Sequence, residues 1–438
     1  MAKQVKLPFE NQELILNLPD SWEIIAELKP NPMPKLDDIA SSLRRALDDP
    51  IECEPMSSMN LSDKKIAIVV DDISRPTPTY RYFDVILNYL FEHGAKRENM
   101  LILLALGVHR AMTKEEVENK LGAKNIEGMR WLNHNFRDIA ENAELGITKR
   151  GTHVALNKKL LDADVILCVG AIEPHLLLGF GGGLKMILPG LAYERTIAEN
   201  HMQGVSPEKF NYIGARESPM RLDLEEAAQM LGKKIFIVNA IMNEKLEICR
   251  FVCGDPVKAH RTGVKIAESI NAKKVDELAD VVIAASNPMN ADLRQGMKCI
   301  GNTEPSVKEN GLIFALLECK YGIGDVAIPP KSLKHGLFRF ILKTLGRNRI
   351  LWFVDKVKKG AGVEERFLAH FSMQIVRKNE IFVYSNKLPA DTGKKVGLFR
   401  QFTDLDGMIK AAAKYAPKKA RVYIYPHGGV TYPVLKER

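Results

Sequence analysis

Runs of apolar, β-prone residues alternate along the chain with helix-length amphipathic segments, the pattern of parallel α/β layers. Four such runs stand in the first half: KKIAIVVDD (Lys64 to Asp72), MLILLALGVH (Met100 to His109), ADVILCVGA (Ala163 to Ala171) and KKIFIVNAI (Lys233 to Ile241). Between the first two, YRYFDVILNYLFEHGA has helical spacing and closes on Gly94 as a C-cap. In MTKEEVENKLG, Thr113 followed three residues on by Glu116 predicts a capping box. From Asp255 the pattern predicts a long helix, a polar break from Ala272 to Glu277, and then a new strand. The rhythm repeats in ADVVIAAS, GLIFALLEC, EIFVYS and RVYIYPHGG, so the expected fold is α/β with two domains, residues 1–273 and 274–438.

Composition agrees with this division. A chain of 438 residues exceeds what one hydrophobic core usually supports. Apolar residues make up 46% and charged residues 27%, as in an ordinary folded protein. The longest apolar run, MLILLALGV, is too short for a bilayer, and the opening MAKQVKLPFENQ lacks a signal-like apolar core; the expectation is a cytoplasmic protein without a membrane partner. Six scattered cysteines read as free thiols. The net charge of +9 suits anionic ligands. No basic stripe interleaved with aromatics marks a nucleic-acid binder; the dense basic segment Lys331 to Gly360 reads as a solvated amphipathic face.

In open α/β sheets ligands bind beyond the carboxyl ends of strands. Four unusual segments fall at such ends: DDISRPTPTY, GVHR, EPHLLLGFGGGLK and SNPMNADLRQGMK, and they are expected to converge on one cleft. The third lies in GAIEPHLLLGFGGGLKMILPG (Gly170 to Gly190) and can be tested against the phosphate motifs. A P-loop needs GK followed by Ser or Thr, but Gly183 is followed by Leu184, Lys185 and Met186. A dinucleotide fingerprint fails where Leu184 replaces its third glycine. What remains is a close approach of backbone to a ligand at Gly181, Gly182 and Gly183, with Lys185 held beyond it, against a plain reading as a packed turn with a solvated lysine.

His109 and His175, at neighbouring strand ends, can act as a proton-accepting and proton-returning pair. His201, on a predicted helix, is a possible metal ligand. Arg75, between Pro76 and the strand, suits a bidentate grip on a carboxylate or a salt bridge to Asp71 or Asp72. Gln295 and Lys298, three apart on a predicted helix, share one face and offer a second anion contact.

Together, DDISRPTP, LGVHRAMTKEE, IEPHLLLGFGGGLKMILPG, ENH, DLRQGMK and YPHGG resemble, in order and spacing, the lactate racemase family of nickel-pincer-nucleotide enzymes. The resemblance implies two Rossmann-like domains with the active site in the cleft between them, and cofactor-biosynthesis proteins as partners. It implies a covalent link from Lys185 to the cofactor, nickel ligation by His201, and cofactor contacts by Asp72 and the three glycines. His109 and His175 would be alternating acid and base; Arg75 and Lys298 would bind the carboxylate of a 2-hydroxy acid, with Gln295 and Arg294 beside it. Hydride removal from the α-carbon would give a planar 2-oxo acid, and return on the other face would invert the centre. Two positions depart from the family pattern: Arg294 replaces an aromatic residue, and Phe371 or Ser372 stands for a late tryptophan. An added guanidinium suits a second carboxylate or a polyhydroxy chain, hence a substrate lactate-like or larger and more polar. The alternatives are a nicotinamide-dependent hydroxy-acid dehydrogenase and a non-catalytic anion-binding protein.

Overall fold

The structure, a computed structural model, describes residues 3–205, 211–324, 326, 334–352 and 369–436. The chain divides into two compact units: Pro32–Gly204 with Ala215–Ile270, and Met1–Asn31 with Val205–Gly214 and Asn271–Arg438. Each is a mixed α/β layer around a six-stranded sheet.

In the first unit the strands run in the order Ile248–Gly254, Lys234–Met242, Val165–Ala171, Ile66–Asp71, Met100–Ala105, Arg130–Asn133. All neighbours are parallel except the edge strand Ile248–Gly254. Every residue of Ile66–Asp71 and of Val165–Ala171 is buried, which explains why these strands read as unbroken apolar runs. Helix Phe83–Glu92 ends ahead of Gly94, whose φ of 93° is the left-handed conformation a helix stop favours. The helix Lys114–Leu121 starts on the expected capping box of Thr113 and Glu116.

In the second unit the strands Arg400–Phe402, Glu380–Tyr384, Val307–Leu316, Ala279–Ala285, Arg421–Tyr425 and Glu23–Glu27 lie side by side, all parallel. Here the expected boundary needs correction, because residues 1–31, placed by sequence in the N-terminal domain, belong to this unit. The antiparallel hairpin Lys3–Phe9 and Gln12–Leu18 buries Leu7, Phe9, Leu16 and Leu18 against Ile283, Phe314 and Phe382, and Glu23–Glu27 forms the sheet edge. Their alternating pattern predicts half-buried strands, but the partner lies some 260 to 400 residues away in the chain and leaves no local signal.

The polar stretch after the long helix Lys258–Asn271 is likewise not an unpaired break. It holds a short strand, Ala272–Val275, parallel to Tyr432–Leu435. Of the basic segment 331–360, the described part forms helices His335–Leu345 and Arg347–Trp352; the remainder lies outside the described residues. Among the described residues no helix is long and apolar enough to cross a membrane, and all six cysteines are free.

Ile283, fully buried at the centre of the second sheet, tests that unit's core. Ile283→Ala should cost about 2–5 kcal/mol, read as a shift of the urea midpoint without a change in slope.

Candidate active site

Three adjacent parallel strands of the first unit, Val165–Ala171, Ile66–Asp71 and Met100–Ala105, end side by side. The loops leaving them carry Asp72 and Arg75, then His109, then Glu173 and His175. The chain direction along the sheet reverses between the first two, where the ion pair of Arg75 Nη1 with Glu173 Oε1 (3.1 Å) joins their loops. Arg75 is thus held by Glu173 rather than by Asp71 or Asp72. Asp71 instead pairs with the buried Lys120 (2.7 Å), whose Nζ also donates to the carbonyls of Arg75 and Thr77 and fixes their loop.

The two histidines are hydrogen-bonded in opposite senses. His109 Nδ1 lies 2.7 Å from Asp72 Oδ2. Burial alone would raise the Asp72 carboxyl. The hydrogen bond from His109, the charge of Arg75 and a hydrogen bond from the Ser74 side chain outweigh it and hold the group well below the usual carboxylate range. An ionised carboxylate only accepts, so His109 carries its proton on Nδ1 and presents a basic Nε2. His175 Nδ1 faces the backbone amides of Leu177 (3.3 Å) and Leu178 (3.2 Å), which only donate; its proton therefore sits on Nε2.

The glycine stretch turns out to be enclosed by the protein itself. Gly179, Gly182 and Gly183 have φ of 78°, 74° and 60°, and a Cβ on Gly182 would stand 2.7 Å from the Ala171 carbonyl oxygen. On Gly179 it would collide with the Ala215 carbonyl at 1.8 Å, and on Gly183 it would meet the His260 ring at 2.9 Å. Three buried side chains hold this strap. Arg221 donates to the carbonyls of Phe180 and Gly182. His260 Nε2 donates to Gly181 (2.8 Å), and Asn239 Oδ1 accepts from the Gly183 amide (2.7 Å). Burial pushes the Arg221 guanidinium down to about 10 and His260 far below its ordinary value, so His260 is a neutral donor.

Lys185 follows in the short 3₁₀ turn Gly183–Met186, with only 8% of its surface exposed. It is therefore a positioned residue, not a solvated one. His201 sits in the last turn of helix Glu194–Gln203, where Nδ1 donates to the Ile197 carbonyl (2.8 Å) and leaves the ring's lone pair on Nε2.

Arg294, Gln295 and Lys298 lie in the other unit, beyond the end of strand Ala279–Ala285. Gln295 belongs to Leu293–Gly296 and Lys298 opens Lys298–Thr303, with Met297 between them in right-handed helical conformation. Gln295 is buried, and its Oε1 has no hydrogen-bond partner among the described residues. Phe371 and Ser372, the counterparts of the family's tryptophan, are both buried at the start of a π-helical turn.

Sequence reasoning missed Lys120, Glu173 as the partner of Arg75, Arg221, Asn239 and His260. Asn239 stands out as a polar side chain in the apolar strand IFIVNAI, though the pattern does not say what it holds; Lys120, Arg221 and His260 lie on helices where a polar residue reads as solvated.

Comparison with known proteins gives the family. The lactate racemase N-terminal domain model matches residues 9–211. A lactate racemase from Thermoanaerobacterium thermosaccharolyticum is 30% identical over 328 residues, 73% of this chain and 75% of the relative. One from Lactiplantibacillus plantarum is 27% identical over 316 residues, 69% and 74% of the two chains. The solved lactate racemase apoprotein from T. thermosaccharolyticum superposes with a TM-score of 0.81 at 24% identity, covering 99% of this chain and all of that one. A crystal structure of a Thermotoga maritima protein gives 0.67 at 19% identity over 92% of this chain and all of that one. The protein is an isomerase of the racemase class. It belongs to the lactate racemase family.

His260 and His134 are both held neutral by burial, whereas an unfolded histidine protonates near pH 6.5. Below that pH the unfolded chain binds more protons, so stability falls as pH drops from about 6.5 toward the folded-state values. His260→Gln, which keeps a donor toward Gly181, should flatten the fall of Tm between about pH 7 and pH 5; circular dichroism melts in the two proteins measure the difference.

Proposed function

We propose that the protein is a racemase or epimerase of a 2-hydroxy acid that works with the nickel-pincer nucleotide. The observation that carries this reading is the opposite hydrogen bonding of His109 and His175. One ring donates through Nδ1 and the other accepts through it, so each is fixed at Nδ1 and keeps Nε2 as the nitrogen that exchanges a proton with substrate, as a reaction that must run from two mirror-image substrates requires.

The residues present fit the cofactor. His201 has Nδ1 tied to a backbone carbonyl, the usual way to aim Nε2 at a metal. Lys185 brings a buried primary amine for the covalent link. The strand order of the first unit, 3-2-1-4-5-6 in its own sequence order, supports a Rossmann-like reading, with Arg75 and Glu173 on either side of its switch point. When bound, the cofactor supplies a reversible acceptor for the substrate's α-hydride.

His109 Nε2 takes the hydroxyl proton of one enantiomer, and Asp72 balances the imidazolium that results. The α-hydrogen leaves with its electron pair, giving the planar 2-oxo acid; after that acid turns over, the pair returns to the other face, His175 in its imidazolium form gives the oxygen a proton, and exchange with solvent takes the proton from His109 and returns one to His175. This route avoids an α-carbanion beside a carboxylate. Arg75 binds the carboxylate and exchanges part of its pairing with Glu173 to do so. Arg294 favours a substrate with a second carboxylate or several hydroxyls.

Protein made alongside the cofactor-synthesising proteins should carry a mass adduct that Lys185→Ala lacks. It should scramble the α-centre of at least one acid in a panel of single-enantiomer lactate, malate and sugar acids, with loss of activity in His109→Ala and His175→Ala. Adduct-bearing, nickel-loaded protein that inverts none of them contradicts the proposal, and stoichiometric reduction of added nicotinamide cofactor favours the dehydrogenase.

A further inference from the structure

The helix Pro219–Gln229 places two buried charges two residues apart, Arg221 and Asp223. At 3.6 residues per turn they point about 200° apart, to opposite sides of the helix. Arg221 reaches the carbonyls of Phe180 and Gly182, the strap that leads into Lys185. Asp223 is fully buried and reaches the other way. Its Oδ1 accepts from Thr148 Oγ1 (2.6 Å), and its Oδ2 accepts from Thr152 Oγ1 (2.7 Å) and Asn200 Nδ2 (2.7 Å). Asn200 also donates to the Met220 carbonyl (3.2 Å) and is the residue before His201.

We infer that this helix is the common frame for the two groups that hold the cofactor, with Arg221 positioning Lys185 and Asp223 positioning His201. The inference rests on the reading of Lys185 and His201 under the proposed function. A covalent link and a metal bond to the same rigid group demand a fixed spacing between their two protein atoms, and hinged loops cannot keep it. One helix pinned to both segments by charge-assisted hydrogen bonds can. The helix opens on a Ser218 cap with Pro219 in its first turn, and it packs through Met220 and Leu224, both fully buried. None of its residues is asked to touch the substrate, so Arg221 and Asp223 are positioning residues.

The two anchors predict separable defects. Protein is made with the cofactor-synthesising proteins, and the Lys185 adduct is read by intact mass and nickel by elemental analysis. In Arg221→Gln the adduct fraction should fall about tenfold or more, since a displacement of about 1 Å can cost 10²-fold. The same variant, made without cofactor, should show an altered rate of Lys185 acylation by an amine-reactive reagent. Asp223→Asn should keep its adduct and lose nickel on dialysis about tenfold faster. Arg221→Lys should recover part of the adduct. Leu224→Ala serves as the control for stability alone, because it loosens the same helix and touches neither anchor.

The inference is overturned if Arg221→Gln and Asp223→Asn load and retain nickel like the unmodified sequence. It is equally overturned if Leu224→Ala, at a matched melting temperature, reproduces both defects. Absence of any adduct on the unmodified sequence would instead contradict the role of Lys185 under the proposed function.

Discussion

A strip of backbone without side chains has no packing of its own to hold it, and the candidate site depends on how the strap Gly179–Gly183 is fixed. Successive carbonyls of Phe180, Gly181 and Gly182 accept from Arg221, His260 and Arg221 again, while the Gly183 amide donates to Asn239. Each donor is buried, where an unmet polar group costs about 1–3 kcal/mol, so the strap and its clamps require one another. The glycines are needed because Ala171, Ala215 and His260 leave no room for a Cβ, before any cofactor is considered.

The same logic extends to the two loops beside it. Lys120 ties the loop of Arg75 to Asp71 at the end of its strand, and Asp72 sets the tautomer of His109. Buried charges hold loops here because a loop that carries polar side chains cannot be fixed by apolar packing alone. The parallel sheet contributes the starting positions, as three adjacent strand ends.

Much of this was legible in the sequence for physical reasons that differ by residue. Central strands such as Ile66–Asp71 and Val165–Ala171 are buried on both faces and show as apolar runs; the Thr113–Glu116 capping box is local and shows as two residues at fixed spacing. His109 and His175 stood out as a pair at neighbouring strand ends and Lys185 as the residue beyond the glycines, and the resemblance to a family named their roles. The terminal hairpin went to the wrong unit because strand pairing across hundreds of residues has no local mark. Arg221, Asp223 and His260 were invisible because a charge inside an amphipathic helix looks solvated until its partner is known.

The central claim is that the protein's own side chains fix the strap before any cofactor arrives. Hydrogen exchange at the amides of Gly181 and Gly183, in protein made without cofactor, tests it most directly. The account predicts protection close to that of the Val165–Ala171 strand, because Gly181 donates to Glu173 and Gly183 to Asn239 inside the fold. Exchange as fast as in the exposed turn at Arg150 would contradict it and would make the strap a loop that only the cofactor orders.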